Sequence, residues 1–224
     1  MELHERIHSI KERIAAAAHR SGRSPQEIKL LAVTKTVPVD LVQAGLEAGL
    51  LDLGENYIQE AQTKIPLLGR SVTWHFIGRL QSNKAKYAVQ LFDLIHSVDS
   101  FKLALELDKK AEAAGRRLGV LIQVNIAGEG SKGGVTPEAA PSVVDQVAGL
   151  GNLELRGLMT MPPFFDQPER VRPFFAALRD LRDKIGGPLK DLSMGMSGDF
   201  EVAIEEGATI VRIGTSLFGS RPVP

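Results

Sequence analysis

The chain has 224 residues, of which 43% are hydrophobic and 24% are charged, the ordinary composition of a folded globular protein. Its 27 basic and 27 acidic residues balance, which argues against a nucleic-acid-binding protein, since such a protein needs a basic excess to neutralise phosphates. Cysteine is absent, so disulfides, thiolate metal sites and cysteine nucleophiles are excluded, and we expect a cytoplasmic protein.

The first predicted element is an amphipathic helix over residues 1–22. Apolar side chains recur every three or four positions, at Leu3, Ile7, Ile10 and Ile14, with charged residues between them. The charges interrupt every apolar run, so the segment is neither a signal peptide nor a membrane span. We expect this helix to pack on its own domain.

From residue 29 onward, short apolar runs alternate with segments of helical periodicity. The predicted strands are Lys29–Thr34, Leu51–Gly54, Trp74–Gly78, Leu94–Ser97, Val120–Ile126, Leu153–Met159, Asp191–Met194 and Thr209–Ile213. The clearest helix starts are Pro38, Phe101, Thr136, the run after Pro168, and Phe200. Several of the strands are almost wholly apolar, which is typical of parallel sheets covered on both faces.

Eight strand–helix units with no linker between them predict one α/β domain over residues 1–224. The expected fold is a (β/α)₈ TIM barrel with the amino-terminal helix added. An open doubly wound sheet is the alternative. It is disfavoured because the Gly-rich turn that such a sheet places after its first strand is missing.

Ligands of such barrels bind at the carboxyl ends of the strands, so Lys35, directly after the first strand, is a candidate site residue. Desolvation there lowers the pKa of a lysine and leaves an amine that can form a Schiff base with an aldehyde. An ordinary solvent-facing lysine is the alternative from position alone. Arg212, in the buried eighth strand, needs an acceptor, which is either a carboxylate such as Glu55 or a ligand.

The segments Ser193–Asp199 and Gly214–Thr215 follow strands seven and eight, where barrels of this type bind phosphate. The alternative is that these glycines and serines only form the turns around a short helix and bind no phosphate. A third polar cluster contains His75, which on its own is better explained as a core histidine than as a catalyst. The histidines show no ligand spacing, so no metal site is expected.

Five spaced motifs resemble the pyridoxal phosphate homeostasis proteins, the YggS and PROSC family. In order they are Leu31–Thr36, Gly54–Tyr57, Trp74–Lys84, Ser193–Asp199 and Val211–Thr215. The resemblance extends essentially from end to end. It implies a barrel similar to the amino-terminal domain of alanine racemase that binds pyridoxal 5′-phosphate (PLP) as a Schiff base.

The resemblance also implies a role for individual residues. Lys35 would hold the PLP aldehyde, Arg212 would face the pyridine nitrogen, and Asn56 would lie near the ring. The residues implied at the phosphate are Ser197, Gly198, Gly214 and Thr215. Met196 and His75 lie in the motifs without an assigned role.

At two positions the resemblance bears on PLP transfer. Many members carry a second lysine where this chain has Val37, which puts in doubt a role for a neighbouring amine. Lys132 corresponds to a family lysine in the loop after strand five and could accept PLP from Lys35; a solvated loop lysine is the alternative.

The implied function is non-catalytic: PLP is buffered or delivered in vitamin B6 homeostasis, with indirect effects on amino-acid and keto-acid balance. An arginine at the pyridine nitrogen keeps it unprotonated and weakens the ring as an electron sink, although alanine racemases share this arginine. We expect PLP and PLP-dependent apo-enzymes as partners, no nucleic acid or membrane, and a monomer.

The alternative is a PLP-dependent enzyme resembling amino-acid racemases. Racemisation needs two bases on opposite faces of the substrate. In alanine racemases the second base is a tyrosine of an additional domain, which we expect to be absent because the chain ends at Pro224. A phosphosugar aldolase using Lys35 is a more distant option.

Overall fold

Eight parallel strands close into a barrel in which every strand pairs with its neighbours in sequence order and the first pairs with the last. The structure, a computed structural model, describes residues 2–130 and 133–219. The strands are β1 (Lys29–Val33), β2 (Asp52–Glu55), β3 (Thr73–Phe76), β4 (Leu94–Val98), β5 (Leu118–Gln123), β6 (Leu153–Met159), β7 (Asp191–Met196) and β8 (Ile210–Ile213). The predicted (β/α)₈ barrel is confirmed, and the open sheet is wrong.

Helices connect the strands on the outside of the barrel. They are α1 (Leu3–Arg20), α2 (Val39–Glu47), α3 (Ile58–Leu68), α4 (Ala85–Leu91), α5 (Phe101–Ala113), α6 (Ala140–Ala148), α7 (Arg172–Ile185), α8 (Phe200–Glu205) and α9 (Thr215–Phe218). The prediction that a helix starts at Thr136 is wrong. The Thr136 hydroxyl accepts from the N–H of Ala139 and closes a turn, and α6 starts only after it.

Apolar side chains form two separate layers because successive residues of a strand point to opposite faces. The inner layer fills the barrel and consists of Leu31, Val33, Ile77, Leu94, Leu121, Met159 and Ile210. The larger outer layer lies between strands and helices and includes Trp74 and Phe76. The strands are therefore covered on both faces, as their apolar runs predicted.

Helix α1 buries its apolar face, including Ile7, Ile10 and Ile14, and packs mainly against α8 and α9. Its polar face is ion-paired to α8: Arg13 contacts Glu201 at 2.9 Å, and Arg20 contacts Glu205 at 2.8 Å. The amino-terminal helix thus braces α8, which begins directly after the loop of residues 197–199. Among the described residues, no helix combines the length and apolar character needed to cross a bilayer.

Candidate functional site

A cleft of about 290 Å³ opens where β1, β2, β7 and β8 end. It is lined by eight of the residues predicted from the sequence: Lys35, Asn56, Met196, Ser197, Gly198, Arg212, Gly214 and Thr215. It is also lined by residues that were not predicted: Val33, Ile77, Met161, Phe164, Phe165 and Asp199. Side chains from both ends of the sequence meet here because β1 and β8 are hydrogen-bonded neighbours.

A depression of about 340 Å³ lies between α1 and α2, and two larger ones, of about 480 and 530 Å³, lie at the opposite face, where strands begin. The latter two include the first residues of β6 and β7, and of β1 and β2, respectively. Barrels of this class place their chemistry at the carboxyl ends of the strands, so the smaller cleft is the candidate site.

The backbone before Lys35 is held by a buried lysine. Lys64, only 4% exposed, donates to the Thr34 carbonyl at 2.6 Å and ion-pairs with Glu55 at 2.9 Å and Glu60 at 2.6 Å. We call Glu55, Glu60 and Lys64 the clamp. Burial raises the pKa of the Glu55 carboxyl, although the Lys64 charge and the Thr34 hydroxyl act to lower it.

The backbone after Lys35 is held by the same clamp. Glu60 accepts from the N–H of Thr36, a β-branched residue in the left-handed region at φ 58°. This conformation costs about 1–2 kcal/mol and persists only where the surroundings enforce it. Val37, the next residue, is buried. Lys35 therefore projects from a fixed, strained turn.

A glycine contact positions Asn56 at the cleft. A Cβ added at Gly78 would lie 2.0 Å from the Asn56 carbonyl oxygen, so only glycine lets the turn after β2 approach β3 this closely. The Asn56 side-chain oxygen is buried and has no hydrogen-bond partner among the described residues. The unpartnered acceptor thus belongs to a residue that lines the cleft.

A bulge in β7 directs the next loop into the cleft. Ser193 pairs with Ile210 and Met196 with Arg212, so β7 uses one more residue than β8 over this stretch. Gly195 lies in the bulge at φ 90°, and a Cβ added to it would be 2.5 Å from the Ala203 Cβ. Without a side chain there, the chain turns tightly onto α8.

The loops after β7 and β8 offer polar groups to an anion. Within the described residues, the backbone N–H groups of Ser197, Gly198 and Thr215 make no hydrogen bond to a backbone carbonyl. Ser216 donates its N–H to the Ser197 hydroxyl at 3.4 Å, which links the two loops. Unpaired N–H groups pointing out of small-residue loops are the usual donors for phosphate oxygens.

Asp199 is an acidic residue of the same cleft that the sequence reasoning left without a role. Its carboxylate accepts from the N–H of Met196 at 2.6 Å and so closes the loop on itself. Burial raises the pKa of this carboxyl, while the bonded N–H of Met196 and the Arg212 charge act to lower it. The contact keeps the carboxylate oriented toward its own turn.

Arg212 is buried and faces the cleft. It donates to the Ser193 hydroxyl at 2.7 Å and to the Thr160 carbonyl at 2.9 Å, and no ion pair with a carboxylate forms among the described residues. Glu55, the partner considered from the sequence, pairs with Lys64 instead. Burial lowers the pKa of the guanidinium to about 10, although the nearby Asp199 charge acts to raise it, so the group is charged at neutral pH without a direct ion pair.

Two further predicted residues are not brought to the cleft. His75 is 1% exposed inside the barrel, where it contacts His96 and Asp52 rather than the cleft. Lys132 lies outside the described residues. Phe164, 84% exposed beside the cleft, was missed, although its position after the end of β6 was a usable signal.

Comparison with known proteins supports the architecture and identifies the family. The family model described as alanine racemase, N-terminal domain, matches residues 6–222. A pyridoxal phosphate homeostasis protein of Aquifex aeolicus is 48% identical over 222 residues, which cover 97% of both chains. The chain belongs to the pyridoxal phosphate homeostasis protein family.

Two further relatives agree with this membership of the pyridoxal phosphate homeostasis protein family. The Pseudomonas aeruginosa protein of that name is 46% identical over 218 residues, covering 97% of this chain and 95% of its own. The solved structure of PipY from Synechococcus elongatus, with PLP bound, superposes with a TM-score of 0.86 at 36% identity. The match covers 97% of this chain and all of PipY.

Proposed function

We propose that this protein binds PLP in the cleft and buffers or delivers it in vitamin B6 homeostasis, without catalytic turnover. The observation that carries the proposal is the meeting of Lys35, Arg212 and the loops after β7 and β8 around one volume. A relative whose structure holds PLP has this fold over its whole length.

The cleft fits PLP in three respects. The Lys35 amine projects from a rigid turn, the N–H groups of Ser197, Gly198 and Thr215 are available for the phosphate, and the Asn56 oxygen is an unmet acceptor near the ring. Gly214 completes the phosphate loop, and Met196 forms part of the wall. When bound, PLP supplies an aldehyde that joins reversibly to an amine as a Schiff base, and here Lys35 provides that amine.

Arg212 is compatible with binding without turnover, although alanine racemases share this arginine. A charged guanidinium facing the pyridine nitrogen would donate to it and leave it unprotonated, which would weaken the ring as an electron sink. Racemisation also needs two opposed bases, and Asp199, the carboxylate of the cleft, is oriented by Met196. Tyr57 and Tyr87 are absent from the described lining of the cleft.

Replacing Lys35 by alanine tests the linkage. In the PLP-loaded protein, Lys35→Ala should abolish the visible absorbance of the lysine-bound cofactor, and borohydride reduction should no longer fix PLP to the chain. Lys110→Ala, which removes a half-exposed lysine of α5, is the matched control and should change neither. Retained covalent labelling in the Lys35 variant would move the linkage to another amine.

Proton exchange at the α-carbon tests whether the protein is a carrier or an enzyme. The loaded protein is incubated with L-amino acids in deuterated water and followed by NMR. We expect no exchange beyond that of free PLP. Exchange well above that level, and lost in Lys35→Ala, would instead establish a racemase-like enzyme.

We propose that the chain acts as one binding unit, as a monomer in the cytoplasm, and that PLP-dependent apo-enzymes receive its cofactor. Transfer of PLP to an added apo-enzyme, measured as recovered enzyme activity against free PLP at equal concentration, tests delivery. Recovery no faster than with free PLP would leave buffering alone.

A further inference from the structure

A chain of polar side chains crosses the interior of the barrel. Asp52 contacts His75 at 3.0 Å, His75 contacts His96 at 2.8 Å, His96 contacts the Ser193 hydroxyl at 2.8 Å, and Arg212 contacts the same hydroxyl at 2.7 Å. We call these five residues the interior chain. Its link from β4 to β7 spans the barrel rather than following neighbouring strands.

The two ends of the interior chain lie at opposite faces of the barrel. Asp52 is the first residue of β2, and its side chain is 18% exposed at the face where strands begin. Arg212 is near the end of β8 and lines the cleft. The members between them, His75, His96 and Ser193, are buried, so water does not compete for their hydrogen bonds.

The Asp52 carboxylate and two neutral rings together determine the direction of the hydrogen bonds. A carboxylate only accepts, and a neutral imidazole has one donor and one acceptor nitrogen. Nε2–H of His75 therefore donates to Asp52, and Nε2–H of His96 donates to Nδ1 of His75. The Ser193 hydroxyl donates to Nδ1 of His96 and accepts from Arg212. This direction assigns the Nε2–H tautomer to both rings.

The reverse direction is disfavoured. It would place the unprotonated Nε2 of His75 against the Asp52 carboxylate at 3.0 Å, with no hydrogen between two acceptors. Burial lowers the pKa of both histidines, which keeps the rings neutral. For Asp52, burial acts to raise the pKa, but the hydrogen bond from His75 and the nearby charges of Lys29 and Arg156 lower it overall. The ionised carboxylate is thus the favoured terminus.

Neither a metal site nor packing alone accounts for five connected polar groups in the interior. Within the part of the chain that the structure describes, no three His, Asp or Glu side chains are arranged to hold a metal ion. A purely packing role does not require five groups to connect end to end. An unpaired buried polar group is costly, and here each link satisfies the next.

We propose that Asp52, His75, His96 and Ser193 are positioning residues for Arg212. They fix its guanidinium at the cofactor-ring end of the cleft and couple it to the charge of Asp52 at the opposite face. This role rests on the proposed PLP site, because it concerns the group that faces the pyridine nitrogen. The hydrogen bonds of the interior chain exist in the protein without PLP and can be measured there.

NMR of the ¹⁵N-labelled protein without PLP tests the interior chain directly. Two-bond ¹H–¹⁵N correlations should show His75 and His96 as single, neutral Nε2–H tautomers with slowly exchanging ring protons. The exposed His4, His8 and His19 of α1 serve as internal references for freely exchanging rings. An Nδ1–H tautomer or an imidazolium at either buried position would overturn the proposal.

Coupling along the chain is tested with two matched variants. Asp52→Asn removes the terminal charge and lets the amide donate, so His75 and His96 should each show a second tautomer. The ring N–H of His75 should exchange about tenfold faster, since a charge-assisted hydrogen bond is weakened. The Nε–H signal of Arg212, assigned by its loss in Arg212→Lys, should shift.

Asp191→Asn is the control because it makes the same change in the first residue of β7, at the same face. Asp191 pairs with Arg156 at 2.9 Å and is not part of the interior chain. It should leave the histidine tautomers and Arg212 unchanged. Equal effects of the two variants on Arg212 would overturn coupling through the interior chain.

Ser193→Ala should separate Arg212 from Asp52, so that adding Asp52→Asn no longer moves the Arg212 signal.

Loading with PLP separates this inference from the proposed function. One outcome is that NMR shows the interior chain while wild type gains no absorbance from PLP and no PLP is fixed to Lys35. In that case the proposed function fails, and the role of the interior chain in placing Arg212 at the cofactor fails with it. If PLP binds at Lys35 but its spectrum is the same in Asp52→Asn and Asp191→Asn, the proposed function stands and the positioning role fails. A spectral shift confined to Asp52→Asn supports both.

Discussion

Replacing the buried Lys64 by methionine should be strongly destabilising. The change removes three hydrogen bonds, to Thr34, Glu55 and Glu60, and leaves the fully buried Glu55 carboxylate without its cation. Removing one member of a buried ion pair costs about 3–5 kcal/mol. With an m-value of about 2 kcal/mol/M, the urea midpoint should fall by about 1.5–2.5 M.

The cost should depend on pH in a defined direction. The pKa of Glu55 in the folded protein is already raised above 4.5 by burial, and loss of Lys64 raises it further. A carboxyl whose folded-state pKa is raised binds more protons folded than unfolded, so stability falls as pH rises through that window. Lys64→Met should therefore be least damaging near pH 4.5 and most damaging at pH 8.

Two further variants complete the measurement. Lys64→Met/Glu55→Gln should recover most of the loss, because no uncompensated charge stays buried. Lys110→Met removes a surface lysine paired with Glu106 and should cost about 0.3–0.5 kcal/mol. A Lys64→Met protein within about 1 kcal/mol of wild type at pH 8, or one whose loss does not vary with pH, would refute this account of the clamp.

Ser197→Asp should weaken PLP retention in equilibrium dialysis, because it puts a negative charge where we place the phosphate; undiminished binding would relocate the phosphate. Gly195→Ala should destabilise the fold by about 2–3 kcal/mol in urea titration, since the new methyl lies 2.5 Å from the Ala203 Cβ at a φ of 90°. Gly115→Ala, also at positive φ (61°) but in open space after α5, should cost only about 1 kcal/mol, and equal costs would contradict the steric argument.

The barrel was predictable because its signals are local. β6 was predicted with the bounds it has, since apolar alternation, the glycines before it and the prolines after it mark it. Lys35 and the loop around Ser197 followed from the rule that strand ends form the site. Thr136 misled because a capping residue followed by proline marks a turn as well as a helix.

The supporting residues were not predictable in the same way. Lys64 stands in a polar stretch of α3 that is typical of a solvated face, and only tertiary packing shows that its ammonium lies under β1. His75 and His96 are separated by 21 residues and contact each other only because their strands are neighbours. Ser193 was noted as part of a motif, but its contact with His96 spans the barrel.

Pairing of β1 with β8 determines when the cleft is assembled during translation. Lys35 and Asn56 are translated early, whereas Ser197, Arg212 and Thr215 emerge last. A partial chain that lacks β8 also lacks Arg212, Gly214 and Thr215, so the complete cleft for PLP arises only when the ring of strands closes. Because a ligand of the closed state stabilises only that state, cofactor supplied during synthesis acts on the final closure and not on earlier folding.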